Sequence, residues 1–333
     1  MKKRVALIYG GEGEEHSVSV LGAEALVRLI DREKYEILPV YISKYGCWYT
    51  RIGGTDIPTY PVRLNGSSGF LVRDKILTVA VAIPLLHGNF GEDGIVQGAL
   101  DCAHVAYIGS GVLAGAVTAD KITAKAVSES LGIPTAPWCF SPDGAEAARS
   151  IAEEKFGYPM FIKPSGLGSS IGASCVPDRL DFTAAYELAE AAGGKRVLVE
   201  ERIFADYELE CGVFETGGEF KVSASGRIET GGAFYDYGKK YESTDAPPVR
   251  HSAPPSPKLK ALAEEYAVRL CRHIGVRHLA RVDFFVKGES LIFNEINTLP
   301  GMTKTSLYPL LCEDMGIKKE DLINILIEEA QKS

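Results

Sequence analysis

Short apolar runs alternate with segments of helical spacing along the first third of the chain. Residues 4–9, 37–42 and 78–85 read as strands, and residues 18–30 carry the three- and four-residue apolar spacing of a helix. Strands divided by a helix predict a parallel sheet with helices on its faces. Glycine-bearing turns follow the first and third of these strands, where open α/β sheets place ligands.

Further along, residues 108–115 form a glycine-rich crossing that suggests a boundary. Residues 120–131 have a helical pattern, stopped by Pro134 and Pro137. Runs at 159–163 and 171–176 read as a hairpin with a Gly/Ser tip; a helix over 182–192 and a strand over 196–201 complete a middle unit. The last third opens on β-runs at 209–214 and 220–224. A loop over 229–257, rich in Gly, Tyr and Pro, has the length of a functional lid. A helix over 257–274, strands over 280–286 and 291–296, and closing helical segments follow. The expected division is 1–112, 113–203 and 204–333.

Composition narrows the function classes. The 333 residues are 46% hydrophobic and 24% charged, the usage of a globular chain rather than a disordered or fibrous one. A net charge of −8 removes general attraction to nucleic acid, so any nucleotide needs a local cationic site. No apolar run approaches a membrane span, and residues 4–9 run straight into glycines instead of a cleavable leader pattern. The expectation is no nucleic-acid partner and no membrane. Seven cysteines (Cys47, Cys102, Cys139, Cys175, Cys211, Cys271 and Cys312) are scattered without a C-x-x-C pair, as reduced thiols of a cytoplasmic protein would be.

Four constellations carry candidate chemistry. Arg281-Val-Asp283 and Asn294-Glu295-Ile-Asn297 lie on the two final strand runs, where residues two apart share a face. Asp283, Glu295 and Asn297 are hard oxygen donors suited to magnesium on nucleotide phosphates, with Arg281 beside them. The plain alternative is a polar strand face laced with ion pairs. Lys163-Pro-Ser165-Gly166-Leu-Gly168-Ser169-Ser170 supplies backbone N–H groups, hydroxyls and a charge for phosphate, or else is only a flexible hairpin tip. It is no Walker A loop, because no Gly-Lys-Ser/Thr ends it and a strand follows. Gly10-Gly11-Glu12-Gly13-Glu14-Glu15-His16-Ser17 follows the first strand, with His16 where a dinucleotide fingerprint needs its third glycine. Glu15 is a candidate partner for a substrate ammonium, or simply complements the helix dipole. His87-Gly88 with Gly91-Glu92-Asp93-Gly94 makes a tight loop after the third strand.

In this order and combination, the motifs resemble the D-alanine–D-alanine ligase family over essentially the whole chain. Gly10-Gly11 with Glu15-His16-Ser17-Val18-Ser19, and His87-Gly88 with Gly91-Glu92-Asp93-Gly94, resemble its N-terminal signature. Lys163-Pro164 with Gly168-Ser169-Ser170, and Arg281-Val282-Asp283, resemble its nucleotide and metal segments. Residues 294–303 are similar to its C-terminal signature. The resemblance implies an α/β protein with an ATP-grasp fold behind an N-terminal parallel-sheet, Rossmann-like domain. It implies ligation of two D-alanines through an acyl phosphate, for peptidoglycan precursor synthesis. ATP is then a substrate, with two magnesium ions that manganese can replace.

Residue by residue, the resemblance gives Glu15 the first substrate's ammonium, with His87 beside it. Lys121, Lys163 and Lys240 hold ATP phosphates, and Ser169 links Glu15 to Tyr241 at the base of the lid. Glu200, Glu201 and Ile203 border adenine, and Glu208 takes the ribose. Arg281 and the Gly301 N–H stabilise the reacting oxyanion. Asp283, Glu295 and Asn297 ligate the metals, while Ser306 and Leu307 receive the second substrate's carboxylate. Tyr241 favours an amine as second substrate. Thr305, where the family usually has histidine, and the segment Ala246-Pro-Pro-Val-Arg-His251 depart from the pattern and leave D-serine or D-lactate as the alternative. A homodimer is implied. Two other classes are weighed against this reading: a nicotinamide oxidoreductase leaves the acidic set unexplained, and an inactive ATP sensor would not retain every expected metal ligand.

Overall fold

A computed structural model of the chain describes residues 2–13, 15–193, 196–228, 255–302 and 306–332. The first unit runs β1 (Lys3–Gly10), α1 (His16–Val27), β2 (Tyr35–Ile42), β3 (Trp48–Ile52), β4 (Thr55–Leu64), β5 (Ser67–Val72), β6 (Lys75–Thr78) and β7 (Val81–Leu85). They form one sheet in the order β6-β5-β4-β3-β2-β1-β7. On β1, Val5 and Leu7 enter one core while Ala6 and Ile8 enter another, the period-two partition of a strand covered on both faces. Only β2, β1 and β7 are parallel; β3 to β6 continue the sheet as an antiparallel meander. The expected parallel sheet is thus one end of a mixed one. The expected strand at 78–85 divides, because Thr78 closes β6 and the chain turns where the Ala80 N–H bonds the Arg4 carbonyl.

Gly10 closes β1 with φ +97°, and a Cβ there would stand 2.1 Å from the Ile42 carbonyl oxygen. No side chain fits without moving β2 or the loop that leads to Glu15. Gly10→Ala is expected to destabilise the protein by about 2–4 kcal/mol, measured by urea unfolding.

Helix α2 (Ile95–Cys102) still belongs to the first unit, where Val96 and Leu100 share the core of Ala6 and Ile8. The second unit comprises α3 (Val112–Ala119), α4 (Lys121–Ser130), β8 (Trp138–Cys139), α5 (Ala145–Lys155), β9 (Met160–Pro164), β10 (Ser174–Val176), α6 (Phe182–Ala191) and β11 (Val197–Glu201). The glycine-rich crossing at 108–115 runs into α3 at Val112. The four strands order as β10-β9-β11-β8, and Met160, Ile162, Val197 and Val199 bury against Phe182 and Tyr186 of α6. The expected strand at 171–176 keeps only its second half: Ser169 (φ 51°), Ser170 (φ 61°) and Gly172 (φ 69°) turn the chain out of extended geometry.

The third unit comprises β12 (Tyr207–Thr216), β13 (Glu219–Ile228), α7 (Pro257–Ile274), β14 (Leu279–Lys287), β15 (Ser290–Asn297), α8 (Leu307–Asp314) and α9 (Lys319–Ala330). Its antiparallel sheet has the order β13-β12-β14-β15, with α7 packed on one face through Ala263, Ala267 and Leu270. Ser256 caps α7 by accepting the Leu259 N–H, Pro257 opens it and Gly275 ends it. Helices α8 and α9 return to the first sheet, where Leu326 and Ile327 share a core with Val5, Leu7 and Ile83. The Tyr308 hydroxyl donates to the Val213 carbonyl at 2.8 Å. Both chain ends therefore sit on one block, which α3 and α4 join through Ala114 and Ala124 in the core of the third sheet, while the sheet of β8 to β11 faces it across a cleft.

Candidate active site

The cleft, about 230 Å³, is lined by Lys121, Lys163, Gly168, Ser169, Glu200, Glu201, Ile203, Glu208, Arg281, Asp283 and Glu295. Its floor is the β14–β15 pair. Arg281 lies opposite Asn297 and Asp283 opposite Glu295 in the register, so all four share one face. Beyond Asp283 the register shifts, leaving Asn294 as the extra residue of a β-bulge. The bulge lets the consecutive side chains of Asn294 and Glu295 both line the cleft, against the alternation read from the sequence.

The carboxylates are balanced by cations. Arg281 donates from Nε and Nη2 to the two Asp283 oxygens at 2.9 and 2.7 Å, and its Nε lies 3.1 Å from Glu210 Oε2. Burial would depress the guanidinium, but Asp283 and Glu210 outweigh it and hold it well above its ordinary range. Lys121 Nζ sits 3.3 Å from Glu295 Oε2 and donates to the Leu167 carbonyl at 2.7 Å. Asn297 turns its Oδ1 to the Leu299 N–H at 3.0 Å, which leaves that oxygen a second lone pair. Asp283, Glu295 and Asn297 together are a hard-oxygen donor set that attracts positive charge, which fits a divalent cation. Among the described residues, no group of three or more His, Cys, Asp or Glu side chains could hold a metal ion.

The phosphate-type loop is rooted on α4. Asp120 caps that helix through the Thr123 N–H and accepts from Ser165 Oγ at 2.8 Å; Ser165 in turn accepts the Ile122 N–H at 3.1 Å. Lys163 on β9 reaches Glu200 on β11 at 2.7 Å and Asn294 at 3.4 Å. Glu200, expected near adenine, is buried, and its other oxygen meets Lys125 Nζ at 2.8 Å. Burial would raise this carboxyl, yet the two ammonium groups hold it down at about 2.

The loop after β1 reaches the same place. His16 Nδ1 pairs with the Gly11 carbonyl at 2.6 Å and its Nε2 with the Tyr41 hydroxyl at 3.2 Å. Ser19 accepts the Gly10 N–H at 2.8 Å and donates to the Leu85 carbonyl, joining the ends of β1 and β7. So fixed, Glu15 accepts a hydrogen bond from Ser169 Oγ at 2.5 Å, spanning 154 residues of sequence. Its other oxygen lies against Gly88, where a Cβ would stand 3.1 Å away.

His87 sits next to this carboxylate but lines a different cavity, about 420 Å³, with Trp48, Tyr60 and Phe90. Its Nδ1 is 3.9 Å from Glu92 Oε1. Burial depresses the His87 imidazole, but Glu92 and Glu15 overcome this and raise it; Glu92 is raised chiefly by burial, against His87. Both groups hold protons more tightly folded than unfolded. Their stabilisation is complete below the unfolded values and is lost as pH rises through the folded ones. The imidazole's share is therefore lost from about pH 6.5 upward. In Glu92→Gln, burial acts on His87 with less opposition. Between pH 6 and 8 its melting temperature is expected to fall less than that of the unaltered protein.

At the far end, Ser306 is the N-cap of α8 and Leu307 its first, buried residue. A Cβ on Gly301 would stand 2.7 Å from Ser306 Oγ. Lys240, Tyr241 and Thr305, with the expected lid and the segment 246–251, lie outside the described residues. Sequence reasoning gave no role to Lys125, Glu210 or Asn294, and counted Ser165 among the phosphate-loop hydroxyls, where the buried side chain instead braces α4 through Asp120 and Ile122. Lys125 alone had a signal, standing four residues after Lys121 and so on the same helical face.

Two antiparallel sheets meeting over lysines, a Gly/Ser loop and an acidic strand pair define the class: a ligase of the ATP-grasp fold. The family profile described as "D-ala D-ala ligase N-terminus" matches residues 4–110, and that described as "D-ala D-ala ligase C-terminus" matches residues 127–328. The D-alanine–D-alanine ligase of Chloroherpeton thalassium is 38% identical, over 99% of this chain and 96% of that protein. Among solved structures, the VanG D-Ala:D-Ser ligase of Enterococcus faecalis superimposes with a TM-score of 0.88 at 30% identity, covering 99% of this chain and 100% of that one. D-alanyl-alanine synthetase A of Vibrio cholerae gives 0.87 at 28%, covering 100% and 99%. The chain belongs to the D-alanine–D-alanine ligase family.

Proposed function

We propose that this ligase joins two D-alanine molecules into D-alanyl-D-alanine with ATP, supplying peptidoglycan precursor synthesis. The observation that carries the reading is the Glu15–Ser169 hydrogen bond, which brings the loop after β1 against the phosphate-type loop in a cleft walled by Lys121, Lys163, Arg281, Asp283 and Glu295.

In this reading Glu15 receives the ammonium of the first D-alanine, with His87 beside it. The substrate carboxylate attacks the ATP γ-phosphate, and Lys121, Lys163 and Lys240 hold the phosphates in line. Glu201 and Ile203 border adenine, Glu200 acts on the phosphate side through Lys163, and Glu208 takes the ribose. Ser306 and Leu307, at the start of α8, receive the second substrate's carboxylate. Its amine attacks the acyl phosphate, and the tetrahedral oxyanion forms against Arg281 and the Gly301 N–H before phosphate leaves. Positioning and charge stabilisation carry the rate; no enzyme nucleophile is required. Asp283, Glu295 and Asn297 would hold two magnesium ions, which would neutralise phosphate charge; manganese would serve in their place.

Among the described residues no helix is long and apolar enough to cross a membrane; a cytoplasmic location and a homodimer belong to the proposal. The likeness to a D-Ala:D-Ser ligase keeps D-serine as the alternative second substrate. The test incubates the protein with ATP, magnesium and D-alanine, with and without D-serine or D-lactate, and weighs the product. D-alanyl-D-alanine is expected to predominate throughout. A mixed product overturns the second-substrate assignment, and ATP binding without D-alanine-dependent phosphate release returns the inactive sensor.

A further inference from the structure

Lys125 is the largest charged group buried in the second unit, with a side-chain exposure of 0%. It stands one turn after Lys121 on α4; Lys121 borders the cleft, while Lys125 points at Glu200 behind it. Among the described residues its ammonium has no hydrogen-bond or ion-pair partner except Glu200 Oε2, at 2.8 Å. The other Glu200 oxygen is 2.7 Å from Lys163 Nζ, which borders the cleft and also reaches Asn294. A buried lysine is a poor choice for packing alone, since an apolar side chain of like volume fills such a site without desolvating a charge.

The order of charges gives it another role. Glu200 with Lys163 alone would be a closed, neutral pair, its carboxylate drawing the ammonium away from the cleft. Lys125 takes up the Glu200 charge from behind, so the triad presents one net positive charge at Lys163. We propose that Lys125 is a positioning residue for nucleotide binding, acting through Glu200 to leave the charge of Lys163 uncompensated and directed at the ATP phosphates. The depressed Glu200 carboxyl agrees, being held down by both lysines against its burial. The inference rests on the nucleotide cleft proposed above.

The experiment compares Lys125→Gln, Lys125→Met and Lys125→Arg, with Lys163→Met as control, in steady-state kinetics and thermal unfolding. Lys125→Gln keeps an N–H donor for Glu200 but removes the charge. It is expected to raise KM for ATP about tenfold or more while kcat at saturating ATP changes less than about threefold and KM for D-alanine stays unchanged. Lys125→Met gives a larger rise, and Lys125→Arg recovers most of the ATP affinity. Should Lys125→Met fail to fold, the Gln and Arg variants decide on the same values. A lowered melting temperature with KM for ATP within about twofold of the unaltered protein would overturn the role and leave Lys125 as packing. If Lys163→Met also leaves KM for ATP unchanged, the cleft assignment fails; if it raises KM and the Lys125 variants do not, only this inference fails.

Discussion

Glu295→Gln is expected to lower kcat by about three orders of magnitude while the melting temperature stays nearly constant. Glu295 faces Asp283 across β14 and β15, and in the proposed reaction it would hold the metal that neutralises phosphate charge. The substitution keeps the size of the side chain and its Oε1 but removes the charge that would bind the metal. Stability changes little because the side chain is 30% exposed and its ion pair with Lys121 is partly solvated. Calorimetry of magnesium–nucleotide binding should show the loss alongside the kinetics. A folded variant that keeps more than about a tenth of its turnover would remove Glu295 from the metal set.

Arg281 should give the opposite pattern, with stability and activity lost together. Its guanidinium lies between Asp283 and Glu210, whose side chains are 9% and 13% exposed. Arg281→Met leaves two buried carboxylates facing each other without a cation, and is expected to destabilise the protein by about 3–5 kcal/mol. Arg281→Lys keeps the charge but loses the fork that holds both Asp283 oxygens. It should recover much of the stability and still lose about a hundredfold or more in kcat. Equilibrium urea unfolding separates the two variants. An Arg281→Met protein as stable as the original would mean that the Glu210–Arg281–Asp283 cluster does not hold the floor of the cleft.

The contrast between these variants reflects what a sequence can reveal. The Arg281-Val-Asp283 and Asn294-Glu295-Ile-Asn297 segments were legible because polar residues at period two interrupt strands flanked by Phe284, Phe293 and Leu291, all buried. Glu15, Lys163 and Ser169 were legible as motif residues, and the chain's resemblance to its family joined them before any geometry did. Glu210 and Lys125 were not, because a charged residue on a strand or helix reads as a solvated face until its neighbours are known. Asn294 was missed because alternation points it away from Glu295, and only the bulge turns both inward. The meander β3–β6 was missed because Tyr60 and Leu64 are exposed while Ile57 and Thr59 are buried, so no continuous apolar run marks it. Its turns nevertheless carried Gly53-Gly54 and Asn65-Gly66, all with positive φ, the chemistry of tight hairpins.

The most direct test of the proposed chemistry follows one oxygen atom. D-alanine labelled with ¹⁸O in its carboxylate is supplied with ATP and magnesium, and the released phosphate is weighed. Attack of that carboxylate on the γ-phosphate, followed by loss of phosphate to the second amine, carries one labelled oxygen into each phosphate. One ¹⁸O per phosphate, formed in step with dipeptide, is the expected result. Phosphate without label would mean that the carboxylate beside Glu15 never attacks ATP, and would contradict the acyl-phosphate mechanism.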